Sequence, residues 1–154
     1  MSTSIRQRIV DAVDTRLKTI LVANGYESNL GRSVFAWHDR ELAVEVIDLP
    51  CIIWRDTDCD DSNATVGTLG YHLHALRMEC EILDNRDAIP VMLRKEVADV
   101  IEAIGTDTTW GGLANRTNPI SHTLEVNQTE KLEGRATITF QIEFYTSKWN
   151  PYAR

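Results

Sequence analysis

The run RATITFQIEFYTSKWNP, residues 135–151, decides the fold of this chain. Its apolar side chains alternate with polar ones, at Ile138, Phe140, Ile142 and Phe144. A period of two predicts a β-strand with one buried face. A short aromatic tail, residues 146–154, follows this strand and carries Trp149 and Tyr152. We expect the strand to be part of a sheet and the last residues to remain free to touch a neighbouring subunit.

Further strands are predicted upstream of this run, at residues 33–37, 42–46, 50–54, 66–83 and 121–127. Pro50 fits the start of a strand. In the long strand the apolar set changes phase near Ala75, which predicts a bulge or a bend. The last two strands are joined by a polar stretch, so they are predicted to form an antiparallel pair.

Two amphipathic helices complete the pattern. Ser4 and Gln7 can form a capping box, and apolar residues then recur at helical spacing to about residue 23. A second helix is predicted from Pro90 to Gly105, with its buried stripe at Leu93, Val97, Val100, Ile101 and Ile104. The order of elements predicts one α+β domain over residues 1–154, with two helices on one face of a mixed or mostly antiparallel sheet.

The composition limits the function classes. The chain has 154 residues, a formal charge of -7 and a sequence pI near 5.0. A protein that grips nucleic acid usually needs a clustered basic face, so this class ranks last. Three cysteines, an odd number, predict a reducing cytoplasm. The apolar runs are shorter than the roughly 20 residues that span a bilayer, so no membrane insertion is expected.

The chain carries no pattern typical of a catalytic or cofactor site. Residues 56–63 hold four aspartates and resemble the opening of a calcium loop, but Asp61 and Gly67 stand where that loop needs glycine and glutamate. We therefore expect a solvated acidic loop and no metal. His72 and His74 share a strand face, and metal binding there would need a third ligand such as His122.

Several polar and aromatic residues are candidates for contacts with other subunits. Aromatic side chains in loops and tails are typical interface anchors. The loop at residues 106–119 contains Trp110. The alternative, that Trp110 and Trp149 cover the edge of their own core, stays open. The candidate interface residues are Asp56, Asp58, Asp60, Asp61, Trp110, Trp149 and Tyr152.

Taken in order, these elements resemble the phage tail terminator family, the tail completion proteins of lambda-like siphophages. The similar features are the opening helix, the Leu49-Pro50 entry into a hydrophobic strand, the long central strand, the second helix, and a last strand that closes near Asn150-Pro151. The resemblance covers almost the whole chain and consists of element order and short patterns.

The resemblance implies a structural virion protein without enzymatic activity, assembled in the host cytoplasm and located at the head-proximal end of the tail. Such a subunit forms a homo-oligomeric ring, expected to be a hexamer, that ends tube polymerisation. Its partners would be the tail tube protein and the head connector, with DNA passing through the lumen without specific binding. Two alternatives stay open: another head–tail neck, completion or tube subunit, and a small ligand- or metal-binding domain built on the three histidines.

Overall fold

The computed structural model describes residues 2–37, 49–61, 70–86, 89–127 and 133–154. The described residues form two α-helices and five β-strands, together with short 3-10 turns at Val22–Asn24 and Leu30–Arg32. The helices are α1 (Ile5–Leu17) and α2 (Ile89–Gly105). The strands are β1 (Val34–Ala36), β2 (Cys51–Asp60), β3 (Tyr71–Asp84), β4 (Arg116–Asn127) and β5 (Glu133–Ser147). The predicted α+β class is confirmed.

The strands form one mixed sheet in the order β1-β2-β3-β5-β4. β1 pairs in parallel with β2, and every other described pair is antiparallel. The central pair, β3 with β5, runs in continuous register from Tyr71 opposite Ser147 to Asp84 opposite Gly134. The predicted antiparallel pairing of the last two strands is confirmed.

Both helices pack on the same face of the sheet, as predicted. The buried stripe of α1 consists of Ile5, Ile9, Val13 and Leu17. It joins the stripe of α2 and the inward side chains of β3 and β5 in one core. Each fully buried aliphatic side chain contributes about 1.5–3 kcal/mol, so this layer provides most of the stability. None of the helices in the described parts of the chain is long and apolar enough to cross a membrane.

Helix α1 begins as predicted but ends earlier. The Ser4 hydroxyl accepts a hydrogen bond from the Gln7 backbone N–H at 3.2 Å, which satisfies one free donor of the first turn. The helix ends at Leu17, not near residue 23. Beyond the helix, the carbonyl of Ile20 accepts a hydrogen bond from Gly31 N at 2.8 Å. The chain after Leu17 is therefore held by a residue outside the helix.

The acidic segment was predicted as a loop, and this is wrong for its first half. β2 continues through Asp60, with a β-bulge between Asp56 and Asp58. The opposite strand β3 is long enough to pair with the whole segment, and this pairing outweighs the turn preference of aspartate. The predicted irregularity near Ala75 is also misplaced: β3 stays in register with β5 there, and the bulge lies in β2.

Four smaller predictions need correction or fall outside the described residues. Ile101 is exposed and does not belong to the buried stripe of α2. The predicted loop at 106–119 is shorter, because β4 starts at Arg116 and pairs with β5 from its first residue. The predicted strand at 42–46 and residues 66–69 of the long strand lie outside the described residues.

Candidate functional site

The four aspartates do not act as one cluster, because the bulge turns them toward different surroundings. Asp56 lies on the helix side, where its Oδ2 accepts hydrogen bonds from Arg6 Nε at 3.0 Å and Nη2 at 2.5 Å. Its Oδ1 accepts one from Trp37 Nε1 at 2.9 Å. Asp58 accepts a hydrogen bond from Thr57, and Asp58, Asp60 and Asp61 are exposed. The prediction that all four form a solvated group is therefore wrong for Asp56.

Asp56 borders an open groove of about 580 Å³ between α1 and the β1–β2 side of the sheet. The groove carries both signs of charge, from Arg6, Asp11, Asp14, Lys18 and Asp56. The acids have partners nearby: Asp14 accepts hydrogen bonds from Lys18 Nζ at 2.5 Å and Trp54 Nε1 at 3.1 Å. Asp14 and Asp56 are thus each paired with a cation inside the groove.

A different group meets at the end of β2. Cys59 Sγ, an Asp61 carboxylate oxygen and a ring nitrogen of His74 all lie within 4.8 Å of one another. His74 Nδ1 is 2.5 Å from Asp61 Oδ1, and the Cys59 thiol donates a hydrogen bond to the same oxygen at 3.6 Å. Burial, together with the charge of Asp61, raises the pKa of the Cys59 thiol to about 12. The raised pKa favours the neutral thiol over the nucleophilic thiolate.

The three histidines do not come together. The rings of His72 and His74 lie 6.2 Å apart between centroids, as their shared strand face predicts. His122 lies on β4 opposite Ile138, which itself pairs with Cys80. Cys80 is eight residues along β3 from His72, about 26 Å at a strand rise of roughly 3.3 Å per residue. The register of the sheet thus excludes a site built from all three histidines.

Trp110 is part of the core and not an exposed anchor. Only 3% of its surface is exposed, its Nε1 donates a hydrogen bond to Thr117 Oγ1 at 2.8 Å, and the Arg16 guanidinium lies 5.1 Å from its ring centroid. Asp107 organises the loop around it: hydrogen bonds from the Thr109 hydroxyl and from two backbone N–H groups lower the pKa of this carboxyl to about 2. For Trp110 the alternative left open by the sequence, packing on its own core, is the observed one.

The carboxyl-terminal tail is tied back, although its aromatic side chains point outward. Pro151 O accepts a hydrogen bond from Ile5 N at 3.0 Å, and Ser147 N donates to Ala153 O at 2.8 Å. The expectation of a free tail is therefore wrong for its backbone. Trp149 is nevertheless 84% exposed, and Tyr152 is also exposed. We call Tyr71, Trp149 and Tyr152 the aromatic end of the molecule.

A second apolar surface was not found by sequence reasoning. β4 is the outermost strand of the sheet, and no described strand pairs with its outer side. Leu124 and Val126 lie opposite Ala136 and Gly134, so they point to the helix side, but they are exposed. Ile101 borders a small depression of about 140 Å³ between α2 and β4. We call this the β4–α2 surface, formed by Ile101, Pro119, Ile120, Leu124 and Val126.

The signal for this surface was present in the sequence but ambiguous. Ile120, Leu124 and Val126 have the apolar character of a half-buried strand. The sequence does not indicate that their strand lies at the edge of the described sheet, where these three side chains are exposed. Contiguous apolar patches on edge strands mark protein interfaces or aggregation sites more often than isolated exposed residues do.

Buried acids form a third unusual group, between β3 and α2. Asp84 and Glu96 are fully buried, and Arg86 bridges them with hydrogen bonds to both carboxyl groups. Burial acts to raise the pKa of Asp84, but the hydrogen bonds from Arg86 outweigh it and lower that pKa. Burial and the neighbouring Asp84 charge raise the pKa of Glu96 to about 8. This raised pKa favours the protonated form of Glu96, which donates a hydrogen bond to Asp84.

The comparisons with known proteins leave these surfaces as the basis for a functional argument. A scan of protein-family models finds no family that matches this chain. A search of curated proteins finds no matching relative.

Proposed function

We propose that this protein is a structural subunit that forms a ring on the head-proximal end of a phage tail tube, ends tube polymerisation and presents the surface to which the head connector binds. It acts by shape and makes or breaks no bond. The observation that carries the proposal is the outer edge of β4, with which no described strand pairs, together with its apolar β4–α2 surface. Small soluble domains usually protect such an edge by charge, by a bulge or by a covering element.

The length of the exposed edge supports a contact between copies of this chain. β4 has 12 residues, and Leu124, Val126 and Ile120 keep their apolar side chains exposed along it. Pro119 and the adjacent bulge interrupt pairing only near the start of the strand. A neighbouring copy that covered the rest of β4 would bury this apolar area and satisfy the outer backbone groups.

The two apolar regions lie far enough apart to contact different partners. Val126 lies opposite Gly134 at one end of β5, while Trp149 follows Ser147 at the other end. A ring uses two different patches on each subunit, one for each neighbour, and leaves its two axial faces for other partners. We assign the β4–α2 surface to the neighbouring subunit and the aromatic end to the tail tube or the connector.

The charge of the chain is compatible with a DNA-conducting lumen. The formal charge is -7, so phosphate is not attracted to the wall by a net positive charge. A ring whose outer face differs from its tube-facing face also explains termination, since further tube subunits find no complementary patch.

The test measures assembly and termination with two matched variants. Leu124→Glu places a charge on the β4–α2 surface, and Val22→Glu places one at an exposed apolar site on a 3-10 turn outside that surface. For the unaltered chain and the Val22 variant we expect a species of about six times 17.5 kDa by light scattering, or a ring formed on added tubes. Both should stop the growth of tail tubes and restore head joining in an extract that lacks the terminator.

Leu124→Glu is expected to remain a folded monomer by circular dichroism and to fail in both functions. The proposal is wrong if the unaltered chain neither associates nor binds tubes, or if the Leu124 variant assembles normally. Incorporation along the tube, instead of at its end, would support the alternative of a tube subunit. Binding to the connector without any effect on tube length would support another neck protein.

A further inference from the structure

We propose that Cys59, Asp61 and His74 form a binding site for one zinc ion, or for a divalent transition metal of similar ligand preference. This site is separate from the β4–α2 surface and does not depend on the proposed function. It extends the sequence interpretation, which considered metal binding by histidines but paired His74 with the wrong partners.

The sheet register brings these three residues together. Cys59 lies opposite Leu76, and Asp60 lies opposite Ala75, so the next position along β2 brings Asp61 to His74. Cys59 and Asp61 are two residues apart and therefore point to the same side. The site thus combines neighbouring side chains from the end of β2 with one from the facing strand.

One separation between the donor atoms already matches that of a metal site, and a second is shorter. Zinc binds cysteine sulfur at about 2.3 Å and histidine nitrogen or carboxylate oxygen at about 2.0–2.2 Å, in tetrahedral geometry. Donor atoms around such an ion are then separated by about 3.3–3.7 Å. The Cys59 Sγ to Asp61 Oδ1 distance is already 3.6 Å. The distance from His74 Nδ1 to the same oxygen is 2.5 Å and must widen, which the 56% exposed Asp61 side chain allows.

The hydrogen bonds of His74 prepare it for coordination through Nδ1. Its Nε2 lies 2.8 Å from the hydroxyl of Thr146, a buried residue, and its ring stacks on Phe144 at 4.8 Å between centroids. Metal-binding histidines nearly always use the second ring nitrogen in such a hydrogen bond, which fixes the orientation of the ring. The side chain of His74 is therefore held with Nδ1 directed at Cys59 and Asp61.

The present contacts also indicate which protons the ion would replace. A ring nitrogen and a carboxylate oxygen 2.5 Å apart require a proton between them. A divalent ion would take the place of that proton, which would move to Nε2 and be donated to Thr146 Oγ1, and of the thiol proton of Cys59, which would be released to solvent. Thiolate is a soft ligand, so the donor set favours zinc over magnesium or calcium. The exposure of Asp61 leaves a fourth position open to water.

The test titrates untagged protein with Co²⁺, whose spectrum reports both tetrahedral geometry and sulfur ligation, and then displaces it with Zn²⁺. We expect one equivalent of cobalt, an intense visible absorption and a thiolate-to-cobalt band in the near ultraviolet. Cys59→Ser should remove the thiolate band, and His74→Gln should remove tetrahedral binding. Thr146→Val, which alters only the support of His74, should weaken binding by about 10–100-fold.

Two controls distinguish this site from non-specific binding. His122→Gln changes an exposed histidine far from the site and should leave the titration unchanged. Circular dichroism of each variant verifies that its fold is retained. The proposal is overturned if the unaltered chain binds no stoichiometric metal, or if the cobalt spectrum is octahedral and insensitive to Cys59→Ser. These readouts use the isolated chain, so their failure would leave the ring proposal standing.

Discussion

Replacement of the buried acid Glu96 by glutamine should remove the loss of stability that this acid causes between pH 5 and 8. Glu96 lies on α2 with none of its surface exposed. Its Oε1 accepts a hydrogen bond from Arg86, while its Oε2 is buried without a partner as long as the group is a carboxylate. Burial and the neighbouring Asp84 charge raise the pKa of Glu96 and so favour its protonated form in the folded protein.

The magnitude and sign follow from the pKa of Glu96 in the two states. It is 4.5 in the unfolded chain and about 8 in the folded protein, because of burial and the nearby Asp84 charge. The folded state binds more protons between these values, so the stabilising contribution is complete below about pH 4.5 and is lost as pH rises through 8. A difference of about 3.5 pKa values, at 1.36 kcal/mol each, corresponds to roughly 5 kcal/mol.

The neighbouring acid acts in a different pH range. The folded-state pKa of Asp84 is lowered from 3.8, so its contribution is present above that value and is lost only at lower pH. The Asp84 and Glu96 effects are therefore separable, and the range from pH 5 to 8 reports on Glu96.

Denaturant unfolding at pH 5, 6, 7 and 8 would measure this effect in the unaltered chain, in Glu96→Gln and in the control Glu102→Gln. Glutamine preserves the acceptor for Arg86 and a donor for Asp84, so we expect nearly equal stability at pH 5 and a clear advantage for Glu96→Gln at pH 8. Glu102 is exposed on the same helix, and its variant should follow the unaltered chain. The reasoning is refuted if Glu96→Gln retains the pH slope of the unaltered chain, or if it is equally destabilised at every pH.

Two further substitutions test the packing described above by the same unfolding measurement. Trp110→Ala should lower the free energy of unfolding by about 3–5 kcal/mol, because a buried ring and its hydrogen bond to Thr117 are lost. Trp149→Ala should change the free energy of unfolding by less than about 0.5 kcal/mol. Equal effects would contradict the assignment of Trp110 to the core and of Trp149 to the aromatic end. Gly134→Ala should cost about 1–3 kcal/mol, since an added Cβ would lie 2.2 Å from Ile89 Cγ2. In the control Gly105→Ala, the added Cβ at the end of α2 has no atom within 4 Å, so stability should be unchanged or increased. If Gly134→Ala were as stable as the unaltered chain, α2 would not be packed closely on β5.

The fold class could be predicted from the sequence because periodicity reports directly on burial. The stripe of α1 and the alternation in β5 contain enough apolar positions to define their faces. The extension of β2 could not be predicted in this way. Aspartate favours turns in local sequence, but here β3 provides the pairing partner and Arg6 and Trp37 provide hydrogen bonds to Asp56.

The candidate sites were less predictable because they depend on strand order. The spacing of His72 and His74 indicates a shared face, but only the register separates them from His122 and places His74 beside Asp61. Glu96 did carry a signal, since it lies three residues after Leu93 on the apolar stripe of α2. A lone acid at such a position indicates a buried partner, but the partner itself is not visible in the sequence.

The proposed metal site and the aromatic end share one region of the sheet, which connects the two proposals physically. The ring of His72 lies 6.2 Å from that of His74 and 5.2 Å from that of Trp149. Lys148 N also donates a hydrogen bond to Gly70 O at 2.7 Å, so the tail is attached to the start of β3. A metal held by His74 would therefore restrict the same chain end that positions Trp149 for an axial partner. The β4–α2 surface lies on the outer strand, beside β5 from its middle to the end opposite Trp149. Ring formation should therefore not require the metal, whereas the docking geometry of the aromatic end would depend on it.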